Sequence, residues 1–263
     1  MRTVTPEVPN IFDRRALRVR RARASAHFEN FDFLHRMALE IIEERLPFLG
    51  PSGQGMACVT GARAPARLAH QAQAEIHADL VQQSAGTTIV LDEEAFPFGP
   101  GTLGLYISVL TLHAVNDLPG ALIQIRRSLK ANGRFLAVLF GPQTLQELRQ
   151  TLLDAELELT GGASPRVHPF IDVKDAGALL QRAGFQEPVA DLQAFAVTYT
   201  EPMRLLRDLH GMGETNILAN RRKSALRRDV LNTALSLYSN KNPTAGGVSA
   251  TFEFLFISGK APS

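Results

Sequence analysis

The sequence predicts an α/β fold with a mostly parallel sheet and helices on both faces, on three observations. Short apolar runs alternate with amphipathic stretches through residues 30–160, a pattern that implies right-handed crossovers between parallel strands. Residues 103–112 (LGLYISVLTL) are apolar nearly throughout, as a strand buried on both faces requires. After it, Leu118, Leu122, Ile125 and Leu129 recur on one helical stripe.

The elements follow in order. Leu34, Met37, Ala38, Ile41, Ile42 and Leu46 predict a helix over 30–46, ended by Pro47 and Gly50. Residues 56–60 form the first core strand. Residues 65–74 read as a helix with Pro65 in its first turn. Residues 76–80 and 87–91 are the second and third strands, the latter rich in β-branched residues. Residues 103–112 are the fourth. Asp117 is placed to cap the next helix, and Ala131-Asn132-Gly133 turns the chain into a fifth strand over 134–140. Helices are expected over 144–157, 172–183, 203–210 and 224–238, and strands over 195–199 and 250–257.

Composition narrows the function classes. With 45% hydrophobic residues the chain can bury a core without disulfides, and its single cysteine, Cys58, has no internal partner. No apolar run approaches the roughly 20 residues that span a bilayer. The net charge of +2 gives no global field for nucleic acid. The charge is uneven, however. Arg14, Arg15, Arg18, Arg20, Arg21 and Arg23 form one cluster, and Arg221, Arg222, Lys223, Arg227 and Arg228 another. Each reads either as a solvated helix face or as a docking surface for an acidic protein or an anionic membrane. The N-terminus lacks a signal-peptide core. Its arginines resemble a mitochondrial presequence, against which stand Asp13, Pro6 and Pro9. The compartment expected is the bacterial cytoplasm or, as the alternative, the mitochondrial matrix.

Several motifs stand in a fixed order: Ile11-Phe12-Asp13-Arg14; Asp92-Glu93-Glu94-Ala95-Phe96-Pro97-Phe98; Leu110-Thr111-Leu112-His113-Ala114-Val115-Asn116-Asp117; Phe140-Gly141-Pro142-Gln143-Thr144; Gly161-Gly162-Ala163-Ser164-Pro165; and Gly211-Met212-Gly213-Glu214-Thr215-Asn216. This series resembles the methyltransferases of ubiquinone and biotin biosynthesis, and more closely the methyltransferase-like assembly factors of respiratory complex I. The resemblance runs from about Asn10 to Lys260. It implies a Rossmann-like class I methyltransferase fold with a seven-stranded, mostly parallel sheet, S-adenosylmethionine as cofactor, and a protein partner, a complex I subunit. In the mitochondrial member the implied reaction is arginine hydroxylation. On this reading residues 1–29 are an N-terminal basic arm and 30–263 a methyltransferase-like domain, with 161–240 as an irregular lid or insert.

The cofactor positions implied by the resemblance are Thr60, Gly61, Asp79 and Asp92. Asp79 stands where an acid accepts hydrogen bonds from ribose hydroxyls, and Asp92 where a side chain meets adenine. The first turn departs from the family's Gly-x-Gly-x-Gly. Thr60, Ala62 and Ala64 replace the glycines, and Cys58 replaces the acid. A non-glycine forced into the left-handed region costs roughly 1–2 kcal/mol, and the added methyl groups fill ligand space. Gly104 and Ala114 also replace the family's usual Asp and Trp. Weak or absent cofactor binding is therefore expected. The run Gly50-x-x-Gly53-x-Gly55 precedes the strand, the wrong order for a phosphate-binding turn.

Two residues are catalytic candidates. His113 follows the fourth strand at the sheet's carboxyl edge, where α/β ligand sites form. It is read either as a catalyst or as a structural hydrogen-bonder. Glu214 is read either as the partner of a cationic arginine substrate or as part of a helix junction, with Gly211 a C-cap and Thr215 an N-cap. None of the seven histidines falls in a metal-ligand pattern. No base-flipping motif appears. Two functions compete: a protein-binding assembly factor that has lost the cofactor, and an active S-adenosylmethionine-dependent methyltransferase or arginine hydroxylase.

Overall fold

The computed structural model describes residues 9–49, 55–61, 76–81 and 89–263. The helix expected over 65–74 and the positions Ala62 and Ala64 lie outside the described residues. The strands are β1 (Met56–Thr60), β2 (Ile76–Asp79), β3 (Ile89–Val90), β4 (Leu103–Val109), β5 (Leu129–Phe140), β6 (Gln186–Tyr199), β7 (Pro243–Thr244) and β8 (Gly247–Lys260). They form one sheet in the order β3-β2-β1-β4-β5-β8-β6, with β7 added beside β8. The pairs from β3 to β5 are parallel. β8 runs antiparallel to both β5 and β6. The seven strands of the main path are those expected; the two-residue β7 makes an eighth.

The described helices are α1 (Arg14–Ala24), α2 (Phe33–Arg45), α3 (Leu118–Ser128), α4 (Gln146–Thr160), α5 (Val173–Ala183), α6 (Pro202–Met212) and α7 (Arg228–Lys241). Caps set several starts. Asp117 accepts from the Gly120 amide at 2.8 Å, as expected for α3. Asp172 accepts from Lys174 and starts α5.

The sheet is buried on both faces. Leu105, Ile107 and Val109 of β4 face one core with Val138, Phe252 and Phe254. Tyr106 faces the other core with Phe135, Leu122, Ile125 and Leu180. β6 is longer than the stretch 195–199 expected, because Glu187, Pro188, Asp191 and Gln193 interrupt its apolar pattern. It lies at one edge of the sheet, where proline and polar residues are tolerated.

A third, smaller cluster positions the site. Phe12, just before α1, and Leu17, within it, pack with Leu80, Ala114, Ile217 and Leu218. This lays α1 across the carboxyl ends of β2 and β4. α1 carries the first arginine cluster, read from sequence as a solvated helix face or a docking surface, but its inward stripe is Leu17, Arg21 and Ala24, with an arginine at the middle position.

Candidate functional site

The site is built at the carboxyl edge of the parallel strands. β4 ends at Val109, and Leu110 then takes the left-handed conformation (φ 50°), which costs on the order of 1–2 kcal/mol for a side chain of this kind. The Leu110 amide is held by the Val138 carbonyl at 2.9 Å, and its own carbonyl accepts from Arg21 Nη2 at 3.1 Å. The chain then enters a short turn that carries His113, and His113 is buried.

Glu214 arrives from the other side. α6 ends at Gly213, which is left-handed (φ 77°) and donates to the His210 carbonyl at 3.0 Å. The C-cap is thus Gly213 and not Gly211, and Thr215 starts no helix. Gly211 serves packing: a Cβ there would lie 2.2 Å from Cγ of Phe31. Gly213 also lets α1 approach, since its Cβ would meet Cα of Arg21 at 3.2 Å. The two glycines bring Glu214 between its partners. Its Oε1 accepts from Arg21 Nη2 at 2.9 Å, and its Oε2 lies 3.3 Å from His113 Nε2. Burial works against the Arg21 charge, but Glu214, with Asp79 and Glu93 further off, more than offsets it, and the guanidinium pKa is raised.

The motifs of the sequence meet here. Asn116 Oδ1 accepts from the Ile11 and Phe12 amides at 2.8 and 2.7 Å, and its Nδ2 donates to Glu94 Oε1 at 3.0 Å. Phe12 bridges to Leu218 as a one-residue antiparallel pair. Arg14 Nη2 reaches Asp92 Oδ1 at 2.6 Å and Glu93 Oε2 at 2.8 Å, while its Nη1 donates to the Ala114 carbonyl at 3.1 Å. Arg18 also pairs with Asp92. Burial is the largest single influence and raises the Asp92 pKa, but the charge and hydrogen bond of Arg14, the Glu94 amide and the Arg18 charge together outweigh it, and the net shift is downward. Asn216 Nδ2 donates to the Pro165 carbonyl at 3.0 Å, which joins the two glycine-containing motifs.

The first arginine cluster therefore divides. Arg15, Arg18 and Arg23 are exposed, but Arg21 is buried and Arg14 is turned inward against the carboxylates. The expectation of one exposed arginine face is corrected for these two, because each has a buried or half-buried carboxylate within 3 Å. The signal that marks them is spacing: Leu17, Arg21 and Ala24 share one side of α1.

The four positions expected to meet the cofactor fall at neighbouring strand ends, each with its own contacts. Thr60 is fully buried, and its Oγ1 lies 3.1 Å from the Tyr106 hydroxyl and 3.3 Å from the Ile107 carbonyl. Gly61 is left-handed (φ 74°), and a Cβ there would meet the Val109 carbonyl oxygen at 2.1 Å. Asp79 ends β2 and is buried. Asp92 is held by Arg14 and Arg18. Cys58 lies in the apolar core, where burial pushes its thiol up to about 12, so this position carries no charge.

Beside these strand ends lies a cavity of about 270 Å³. Phe140, Leu145, Leu148, Phe170 and Phe252 line its walls, and His113, His168 and Glu214 its polar end. His168 Nε2 accepts from the Ile217 amide at 3.0 Å. Burial and the nearby His113 push its pKa down to about 4, so it stays a neutral acceptor. His113 Nδ1 is buried and has no hydrogen-bond partner among the described residues. The structure thus brings His113 and Glu214 together and adds Arg21 and His168, which the sequence did not single out. Among the described residues no group of His, Cys, Asp or Glu is placed to hold a metal ion, and no helix is long and apolar enough to cross a membrane.

Sheet order and site position define a class I methyltransferase-like fold. Residues 52–137 match the family model described as a methyltransferase domain. Among solved structures, phosphoethanolamine N-methyltransferase 2 of Haemonchus contortus, complexed with S-adenosylhomocysteine, superposes with a TM-score of 0.53 at 13% identity, covering 94% of this chain and 61% of that one. The chain is 36% identical over 272 residues to the human mitochondrial arginine-hydroxylase NDUFAF5, covering 98% of this chain and 79% of the human protein. It is 42% identical over 175 residues to the Danio rerio protein of that name, covering 66% of this chain and 54% of the relative. The chain belongs to the arginine-hydroxylase NDUFAF5 family.

The family's fold implies S-adenosylmethionine, and Thr60, Gly61 and Asp92 at the described strand ends already have contacts within the chain. The Thr60 hydroxyl is turned into the core, Gly61 lies against the end of β4, and Asp92 is engaged by two arginines. Asp79, expected to meet the ribose, is buried at the end of β2.

Proposed function

We propose that this chain is a protein-binding assembly factor of the respiratory complex I type, built on a methyltransferase fold and working with weak or lost S-adenosylmethionine binding in the bacterial cytoplasm. The observation that carries the reading is the arginine cover over the strand ends. Arg14 and Arg18 hold Asp92, Arg14 holds Glu93, and Arg21 lies in the field of Asp79. A ligand that used these carboxylates would first have to break charge-assisted bonds in a partly dry site. The neutral Cys58 and the buried Thr60 lend the same support.

The test is calorimetric titration of the full chain with S-adenosylmethionine and S-adenosylhomocysteine. We expect dissociation constants weaker than roughly 100 μM, given the loss of two or three hydrogen bonds at about 0.5–1.5 kcal/mol each. A micromolar or tighter constant overturns the reading.

A second reading, an active arginine hydroxylase, is favoured by the His113–Glu214 pair at the polar end of the cavity and by the activity named for the relatives. A gain of oxygen by an arginine peptide, seen by mass spectrometry and lost in Glu214→Gln, would establish it over the first.

A further inference from the structure

A groove of about 1120 Å³ runs between α1, the turn that follows it, and α6. One wall carries Arg20, Arg23 and His27, the other Arg204, Arg207 and His210. The one carboxylate among the lining residues is Asp208, and burial raises its pKa. Arg23, Arg204 and Arg207 are exposed. Arg207 has Glu201 at 3.6 Å, but both side chains are more than half exposed, so water and salt screen the pair. Arg20 is half-buried, and its pKa is lowered by burial and then by the Arg221 charge. Positive charge therefore collects along a concave track. The floor is apolar, with Phe31, Met203 and Leu206.

The groove also leads somewhere. Leu206, His210 and Thr215 line both it and the cavity that ends at His113 and Glu214. A chain lying in the groove can send one side chain into that cavity, whose walls are aromatic and aliphatic.

We propose that this groove is the docking track for an acidic, extended segment of a partner protein, anchored by one aromatic or long aliphatic side chain in the cavity. The proposal rests on the assembly-factor reading and names the chemistry of its partner. Opposite charge on the rim steers the segment and sets its register, while the buried anchor contributes most of the affinity. A concave track that opens into an apolar cavity suits a peptide better than a lipid surface, which has no side chain to insert. The chain's net charge of +2 likewise argues against nucleic acid.

The probe is a fluorescently labelled peptide of Asp and Glu residues around a central Phe, followed by polarisation with the full-length chain. Controls are its Asn/Gln counterpart, its Phe→Ser counterpart and phosphatidylserine vesicles. We expect the acidic peptide to bind about ten-fold or more tighter than either control peptide, with affinity falling steeply with added salt. In the triple variant Arg23→Glu, Arg204→Glu, Arg207→Glu that preference should vanish while the melting temperature is kept, since all three side chains are exposed. Equal binding of the acidic and amide peptides, or an unchanged affinity in the triple variant, overturns the proposal. So does charge-reversal-sensitive binding of vesicles without binding of peptide. Tight S-adenosylmethionine binding alongside the expected peptide result would remove the loss of cofactor and leave the groove standing. Weak cofactor binding with no peptide preference would remove the groove alone.

Discussion

The carboxyl edge of the sheet is filled in two different ways. Beyond β1 to β3, arginines of α1 close on Asp92 and Glu93 and approach Asp79. Beyond β4 and β5, the edge opens into a cavity walled by Phe140, Phe170 and Phe252. In the first region Asp92 and Glu93 are paired by arginines of the same chain. The second has apolar walls and a buried histidine nitrogen without a partner among the described residues. A site closed by internal ion pairs resists a ligand, because the ligand must replace those pairs. An apolar cavity gains from any guest that excludes water. Glu214 lies at the boundary, pairing with Arg21 on one side and His113 on the other.

The largest expected effect breaks that boundary. Arg21→Met removes the Arg21 cation from Glu214, which stays buried beside His113. Removal of one member of a buried ion pair costs about 3–5 kcal/mol, read as a lower unfolding free energy in urea. Adding Glu214→Leu to Arg21→Met should recover much of it, since a buried pair replaced by apolar side chains is often near neutral. A loss under about 1 kcal/mol for Arg21→Met would show that the two regions are not held together by this pair.

The next sharpens the cavity side. Burial pushes His168 down to about 4 from its usual 6.5. The unfolded chain therefore binds more protons between those values. Stability is complete above pH 6.5 and is lost as pH falls through the window towards 4. By pH 5 the loss from this group is about 2 kcal/mol. His168→Gln, which keeps an acceptor for the Ile217 amide, should flatten that part of the profile. An unchanged slope between pH 7.5 and 5 would place the titration elsewhere.

The smallest effect is a reference arginine away from the edge. Arg45 pairs with Asp191 at 2.8 Å and lies 3.9 Å from the centre of the Phe256 ring, partly open to solvent. Arg45→Gln should cost about 0.5–1 kcal/mol. If it costs as much as Arg21→Met, burial is not what distinguishes the arginines of α1.

Much of the fold was legible because strand and helix periods are local. The run at β4, the Asp117 cap and the stripe of α3 are each written within a dozen residues. The edge strand β6 was only half legible, since its outer face is polar and its pattern is broken by Pro188 and Asp191. At the site, His113, Asp79 and Glu214 were singled out from motif position. Arg14 and Arg21 were missed because a charge run reads as solvated unless its partners are known, and their partners stand 78 to 193 residues away.

By itself, then, the sequence determined the α/β alternation, the mostly parallel sheet with its late strand over 250–257, and the departure of Cys58 and Thr60 from a cofactor turn. Only the tertiary structure decided which arginines face inward, that Gly211 and Gly213 serve Phe31 and Arg21, and that a basic groove and the cavity share Leu206, His210 and Thr215 in their walls. The reason is physical. Secondary structure follows from backbone geometry and side-chain period over a few residues, whereas an ion pair or a cavity depends on distances between segments that only folding brings together.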